Sequence, residues 1–322
     1  MAETGTDIAR AAALLRQGQL VAIPTETVYG LAANGLDEEA VLSVFRVKNR
    51  PAFDPLILHV DTLAKVEALV LDIPAAARRL AARFWPGPLT LLLEKSARVP
   101  DLVSSGLPRV AVRIPAHPLT TALLMQLDFP LAAPSANPFG YVSPTTALHV
   151  QEQLGEKIPY ILDGGPCGIG VESTIIGFEE GQTVVYRLGG TSLEDIKSVT
   201  GTPRLCLNQS SNPAAPGMIK SHYAPRKPLL VGELDDLLAR HPDRKIGLIS
   251  FDRVYSNPAV VQQLQLSAAG SLDEAAMTLF GALRQMDKAD IDLILAQQVP
   301  DTGLGRAIND RLRRAAVRQE EA

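Results

Sequence analysis

Cysteine is nearly absent from this sequence. Cys167 and Cys206 are the two thiols in 322 residues, too few for a disulfide framework or a zinc quartet. Cys167 sits in a Gly-Pro-rich turn, where a free thiol is the expectation. Long apolar runs are missing as well, so no stretch reads as a membrane span. The N-terminal residues, with Glu3 and Asp7, lack the basic and apolar regions of a signal peptide, and a cytoplasmic protein is expected. Nor is there a surplus of positive charge: 31 Lys and Arg against 35 Asp and Glu give a net charge of −4, which argues against binding nucleic acid over a wide surface. A local basic pocket stays open, with Arg46, Lys48, Arg50, Arg109, Arg113 and Arg187 as its candidate members.

Several catalytic signatures are also missing. No Gly-x-x-x-x-Gly-Lys-Ser/Thr loop occurs, and the glycine-rich stretch at 164–170 lacks the lysine, which excludes phosphate binding of the P-loop type. There is no Gly-x-Ser-x-Gly elbow and no His-Glu-x-x-His metal pair.

What is present describes a globular α/β chain. Hydrophobic residues make up 46 % and charged residues 20 %, enough to bury a large core, and 322 residues suggest two domains. Apolar periodicity predicts helices over 8–16, 38–48, 75–85, 119–127 and 144–154, the last starting at Pro144 behind a Ser143 cap. Strands are predicted at 20–23, 56–60, 89–93, 110–114, 131–133, 160–162, 173–176 and 184–187. Periodicity fades between Asn208 and Pro228, a Ser-, Asn- and Pro-rich linker that ends in Lys220, Ser221, His222 and Tyr223. Strands at 228–232, 245–250 and 292–296 then alternate with helices at 234–240, 271–287 and 305–317, a small doubly wound pattern. Its stretch at 303–308 lacks the third glycine of a dinucleotide fingerprint, so a structural or regulatory domain is expected there. The basic run starting at Arg311 has helical spacing and reads first as a solvated face.

The densest chemistry lies at strand exits. Ile-Pro-Thr-Glu-Thr-Val-Tyr-Gly-Leu at 23–31 carries an apolar strand into two threonines, a glutamate and a glycine, with Pro24 ending the ladder and loop expected beyond it. Alone, this is equally an ordinary turn with a helix cap. Further polar segments stand beside short apolar runs: Lys48-x-Arg50 before Pro51, Ser135-x-Asn137 between two prolines, Glu172-Ser173-Thr174, and Arg187.

These segments, in this order, resemble the YrdC/Sua5 family of L-threonylcarbamoyladenylate synthases over roughly residues 7 to 200. The remainder resembles the extra domain of the long Sua5 branch. The resemblance implies a YrdC-like open, twisted, mixed sheet with a deep concavity over 1–207, a linker and active-site lid over 208–228, and a small Rossmann-like domain over 229–322. It implies a reaction of L-threonine, bicarbonate or carbon dioxide, and ATP, giving threonylcarbamoyl-AMP and pyrophosphate, a nucleotidyl transfer. Magnesium would arrive with ATP. The product would pass to a separate transferase that modifies position 37 of tRNAs, so that direct tRNA contact is not required.

By the same resemblance, Lys48, Arg50, Ser135 and Asn137 form the catalytic set. ATP would be held by these four with Asp54, Arg109, Ser143, Arg187 and Tyr223. Threonine would be held by Thr27, His59, Arg113, Ala133 and Ser173. Asp54 would repel phosphate unless it accepts from Arg50 or helps hold magnesium. A charged Arg113 inside Val-Ala-Val-Arg-Ile is costly to bury without a partner, whereas His59 also fits a satisfied core histidine. Two rivals are a double-stranded RNA-binding module, disfavoured by net charge and the lack of aromatic stacking motifs, and a carbamoyl-adenylate-forming carbamoyl transfer, disfavoured by length and cysteine count.

Overall fold

The computed structural model describes residues 1–207, 215, 216, 218 and 223–317. Lys220, Ser221 and His222 of the expected lid lie outside the described residues, as does most of the stretch from Asn208. The chain divides into two compact units: one of Met1–Phe139, Ser143–Gly168 and Glu172–Ile219, and one of Gly140–Val142, Ile169–Val171 and Lys220–Ala322.

The first unit runs β1 (Glu3–Gly5), α1 (Ile8–Arg16), β2 (Val21–Ile23), β3 (Gly30–Asn34), α2 (Glu38–Lys48), β4 (Ile57–His59), α3 (Leu63–Glu67), α4 (Ala75–Phe84), β5 (Leu89–Glu94) and α5 (Asp101–Ser104). It continues with β6 (Arg109–Arg113), α6 (Pro118–Met125), β7 (Leu131–Ala132), α7 (Ala147–Leu154), β8 (Tyr160–Leu162), β9 (Thr174–Glu179), β10 (Gln182–Arg187), α8 (Leu193–Thr200) and β11 (Arg204–Leu205). Its strands form one mixed sheet in the order β1-β8-β2-β3-β7-β4-β6-β5-β9-β10-β11. In the middle, β4 lies parallel to β6, with Ile57 opposite Ala111 and His59 opposite Arg113, and antiparallel to β7, with His59 opposite Leu131.

Local chemistry explains the elements that frame this centre. Asp37 caps α2 by accepting from the Glu39 and Ala40 amides, and Ala40, Val41, Val44 and Phe45 bury one face at helical spacing. The helix ends where Asn49 turns left-handed, at φ 52°, so Lys48 is its last helical residue and Arg50 leaves in a new direction. The chain therefore leaves α2 through a left-handed cap. Helix α7 begins later than Pro144: Thr146 caps it by accepting from the His149 amide, while the Ser143 hydroxyl is taken by Glu172. The loop after Pro24 is short, because Gly30 restarts the chain as β3.

The second unit contains β12 (Leu229–Val231), α9 (Leu234–Arg240), β13 (Ile246–Ser250), β14 (Val260–Gln265), α10 (Leu272–Lys288), β15 (Leu293–Ala296) and α11 (Gly305–Ala316). Its four strands are all parallel, in the order β12-β15-β13-β14. The unexpected strand is β14, an edge strand of sequence Val-Val-Gln-Gln-Leu-Gln, too polar for a buried run. The basic run on α11 is not a solvated face: Arg311 and Arg314 are buried, paired with Asp310 and lying 4.9 and 5.3 Å from the Tyr223 ring centroid. An acid and an aromatic face compensate their desolvation. Among the described residues no helix is long and apolar enough to cross a membrane.

Candidate active site

Arg113 ends β6 with its side chain buried. Its Nε donates to the Gly87 carbonyl at 3.1 Å, Nη1 to Thr27 Oγ1 at 3.0 Å and Nη2 to Glu26 Oε1 at 2.6 Å. The other Glu26 oxygen accepts from the Ala116 amide at 3.0 Å. Thr25 sets the loop that carries these groups, accepting from the Thr27 and Val28 amides and donating to the Val28 carbonyl at 2.6 Å. A guanidinium has about five N–H groups, so each terminal nitrogen of Arg113 keeps a second one beyond these bonds.

His59 faces Arg113 across the β4–β6 register. Burial, reinforced by the Arg113 charge, lowers its pKa to about 3, so the ring is neutral. Its Nδ1 lies 3.2 Å from the Ile57 carbonyl, and the Leu131 backbone is a second partner; both favour the protonated ring but do not offset its burial. Ser173 lies one residue before β9, and its hydroxyl is 2.7 Å from that of Thr90. Arg187, the last residue of β10, clasps Ser173 twice, Nε to its carbonyl and Nη2 to its hydroxyl, both at 3.0 Å. The Ala133 amide donates to Ile57.

A second cluster gathers before β4. Lys48 is buried, and its Nζ donates to the Ser135 carbonyl at 2.5 Å and to the Asn137 carbonyl. Burial, with Arg50 alongside, draws its ammonium well below the usual lysine range against the pull of Asp54. Arg50 donates to the Asp54 and Pro55 carbonyls and forms an ion pair with the Asp54 carboxylate at 2.8 Å. Ser143 Oγ donates to Glu172 Oε1 at 2.5 Å. One strand joins the two clusters: Arg50 grips Pro55 at the entrance to β4, and His59 ends it, roughly 13 Å away at about 3.3 Å per residue.

The structure brings Lys48, Arg50, Asp54, Ser135 and Asn137 together, and Thr27, His59 and Arg113 together. Arg109 opens β6, and its guanidinium turns to the Tyr186 hydroxyl at 3.0 Å and to Glu179 at 3.6 Å. Arg46 is exposed on α2 and leaves the pocket group. Tyr223 belongs to the second unit, its ring stacked on Phe280 at 5.6 Å. Glu26 and Glu172 emerge as polar partners that sequence reasoning passed over. Their signal was a carboxylate inside each threonine- or serine-bearing motif. Cys167 is buried, with its thiol pushed up to about 12, which keeps it unreactive near neutrality.

The arrangement offers buried cations beside neutral donors in two places, suited to reactants with separate anionic ends. Comparison with known proteins gives it a setting. The family described as "Telomere recombination" matches residues 13–189, and "Threonylcarbamoyl-AMP synthase, C-terminal domain" matches 191–317. A threonylcarbamoyl-AMP synthase of Pyrococcus abyssi is 44 % identical over 321 residues, covering 95 % of this chain and 93 % of the relative. One of Bacillus subtilis is 41 % identical, covering 96 % and 92 %. The crystal structure of P. abyssi Sua5 with L-threonine superposes with a TM-score of 0.92 at 42 % identity, covering 98 % of each chain. With the first match spanning more than half of its length and relatives aligned nearly end to end, the chain belongs to the Sua5–YciO–YrdC family, in the long form that carries the Sua5 C-terminal domain.

Proposed function

We propose that this protein joins L-threonine, carbon dioxide from bicarbonate, and ATP into threonylcarbamoyl-AMP, releasing pyrophosphate. The observation that carries this reading is the pair of cationic clusters at the two ends of β4, Arg113 with Thr27 and His59 at one end and Lys48 with Arg50 at the other. The threonine carboxylate would accept from the second N–H on each terminal nitrogen of Arg113, a planar fork matched to a carboxylate. Neutral His59 and the Thr27 hydroxyl suit the substrate hydroxyl or amine, and Ala133 would contribute its backbone. The amine loses a proton and bonds to carbon dioxide, giving a carbamate. The carbamate oxygen then attacks the α-phosphorus, and its bond to the pyrophosphate oxygen breaks. No protein nucleophile is needed, and rate comes from positioning and from donors facing the developing charge.

Lys48, Arg50 and the Ser135–Asn137 loop would face the triphosphate, with Ser143 and Arg187 on the nucleotide side. Lys48 already braces the loop through two carbonyls, and an ammonium has about three donors, so one is left for phosphate. Asp54, paired with Arg50, is screened from phosphate. Magnesium enters as part of the MgATP substrate. The first unit would carry the reaction, and the segment over 208–228 would act as a lid that keeps water from a labile product. Ala215 and Met218, packed with Ile57, Ala111 and Ile175, support that placement. The product would serve a separate transferase acting on tRNA in the cytoplasm.

The test incubates the protein with MgATP and bicarbonate and follows pyrophosphate release with L-threonine, L-serine or no amino acid. Release that depends on threonine is expected. Release indifferent to the amino acid would overturn the reading.

A further inference from the structure

The second unit takes in two short pieces of earlier chain, Gly140–Val142 and Ile169–Val171. Each piece ends one residue before a member of a single hydrogen bond. Ser143 follows Val142, Glu172 follows Val171, and Ser143 Oγ donates to Glu172 Oε1 at 2.5 Å. Helix α10 holds both pieces. Tyr141 donates its hydroxyl to Asp287 Oδ2 at 2.6 Å, and its ring lies 5.2 Å from the Arg284 guanidinium and 5.9 Å from that of Arg226. Arg284 also donates to the Val142 carbonyl. On the second piece, Gly170 has φ +82°, and a Cβ there would land on the Ala276 carbonyl of α10, so backbone meets backbone and a side chain is excluded.

The same carboxylate gathers a third element. Asp287 Oδ1 accepts from the backbone amides of Arg226 and Lys227 at 2.6 and 2.9 Å, in the last residues of the expected linker, and the Ala224 amide donates to the Gly140 carbonyl at 2.9 Å. One carboxylate therefore ties the end of the linker to the loop leading into Ser143. Hydrogen bonds to an ionised acceptor are short and directional, which makes such a tie a device for fixing geometry.

We infer that Asp287, acting through Tyr141, is a positioning residue for the nucleotide end of the active site: it holds the approach to Ser143 and couples it to the linker's end. The inference rests on the proposed function, in which Ser143 lies on the nucleotide side. Neither residue touches substrate. Loss of the tie leaves the site's own groups in place but lets the Ser143 loop sample other positions, so ATP is affected and threonine is not.

Steady-state kinetics of pyrophosphate release test this with Tyr141→Phe, which keeps the ring, and Asp287→Ala. Both variants are expected to raise KM for MgATP at least about fivefold while KM for threonine stays within about twofold, the split that marks a group acting on one substrate. The double variant is expected to be no worse than Asp287→Ala, because Asp287→Ala already removes the one bond that Tyr141→Phe removes. Gln285→Ala, exposed on the same helix, is the control and is expected to match the wild type. An unchanged KM for MgATP in Tyr141→Phe and Asp287→Ala would overturn the inference. So would a parallel rise in both KM values with a fall in melting temperature, the pattern of general loosening. If the wild type shows no threonine-dependent release, the proposed function fails first and takes the inference with it. If the wild type is active and the variants match it, the inference alone falls.

Discussion

Glu26 Oε1 accepts from Arg113 Nη2 at 2.6 Å, closing an ion pair across 87 positions of sequence with both side chains largely out of solvent. The pair resolves the difficulty of placing a charged arginine inside an apolar strand. Removing one member of a buried pair costs more than the pair contributes, because the other charge is left desolvated. Glu26→Gln is therefore expected to lower stability by roughly 3 kcal/mol in urea unfolding. Arg113→Lys keeps the charge but loses the fork. Threonine affinity, read by calorimetry, is expected to fall at least about tenfold, the loss of one charge-assisted hydrogen bond. Equal threonine affinity in Arg113→Lys would remove Arg113 from the carboxylate subsite.

Lys48 separates stability from activity. Its ammonium is buried, and its pKa is drawn down chiefly by desolvation, so the folded state carries a charge that it holds at a cost. Lys48→Met keeps the apolar stem and removes that burden, but frees the Ser135 and Asn137 carbonyls from their brace. The two effects oppose each other in stability and agree in function. Melting temperature is expected to stay within about 3 °C, the equivalent of roughly 1 kcal/mol in a protein of this size. Pyrophosphate release should drop at least about a hundredfold, or ~2.7 kcal/mol of barrier. An active Lys48→Met enzyme would show that the lysine is structural only.

The fold was legible wherever burial imposed a simple period. Helix α2 shows its Asp37 cap and its apolar face directly in sequence, and β6 shows its Val-Ala-Val core. The edge strand β14 was not legible, because half-exposed glutamines resemble a loop until a neighbouring strand supplies the ladder. Thr146 in place of Ser143 as the cap of α7 could not be read either, since Ser143 is claimed by a residue 29 positions away. The same holds for Arg311 and Arg314, whose helical spacing says nothing about Tyr223 packing over them. Residue types at the site were visible in the motifs. Their partners, Glu26 for Arg113 and two carbonyls for Lys48, are tertiary contacts that no local pattern encodes.

His59 gives a pH dependence with a definite sign. An unfolded histidine has its ordinary pKa of about 6.5, whereas in the fold burial and Arg113 bring it to about 3. Between these values the unfolded chain binds a proton that the folded chain refuses, so acid favours unfolding. The stability associated with the neutral ring is fully present above the unfolded pKa and is lost as pH falls toward the folded one. At pH 5 the loss amounts to about 2 kcal/mol for this one group. Urea unfolding of the wild type and of His59→Gln at pH 7 and pH 5 isolates it. The stability difference is expected to shift by that amount in favour of the variant at the lower pH, and a difference independent of pH would mean that His59 titrates in the fold as it does in the unfolded chain.

Met218 tests the lid. It is buried in a cluster with Ile57, Ala111, Ile175 and Tyr186, at the centre of the sheet that carries both candidate subsites. Truncating a buried methionine to alanine costs about 2–5 kcal/mol when the whole fold depends on it. If the proposed lid holds, the cost falls on the docking of that segment, and the expected consequence is opening rather than unfolding. Met218→Ala is expected to leave KM for threonine and ATP within about twofold while the labile product escapes and hydrolyses faster, a gating effect distinct from chemistry. Measuring pyrophosphate released against threonylcarbamoyl-AMP recovered gives the ratio directly, and it should rise severalfold. An unchanged ratio would mean that Met218 packs for stability and that water is excluded by other residues.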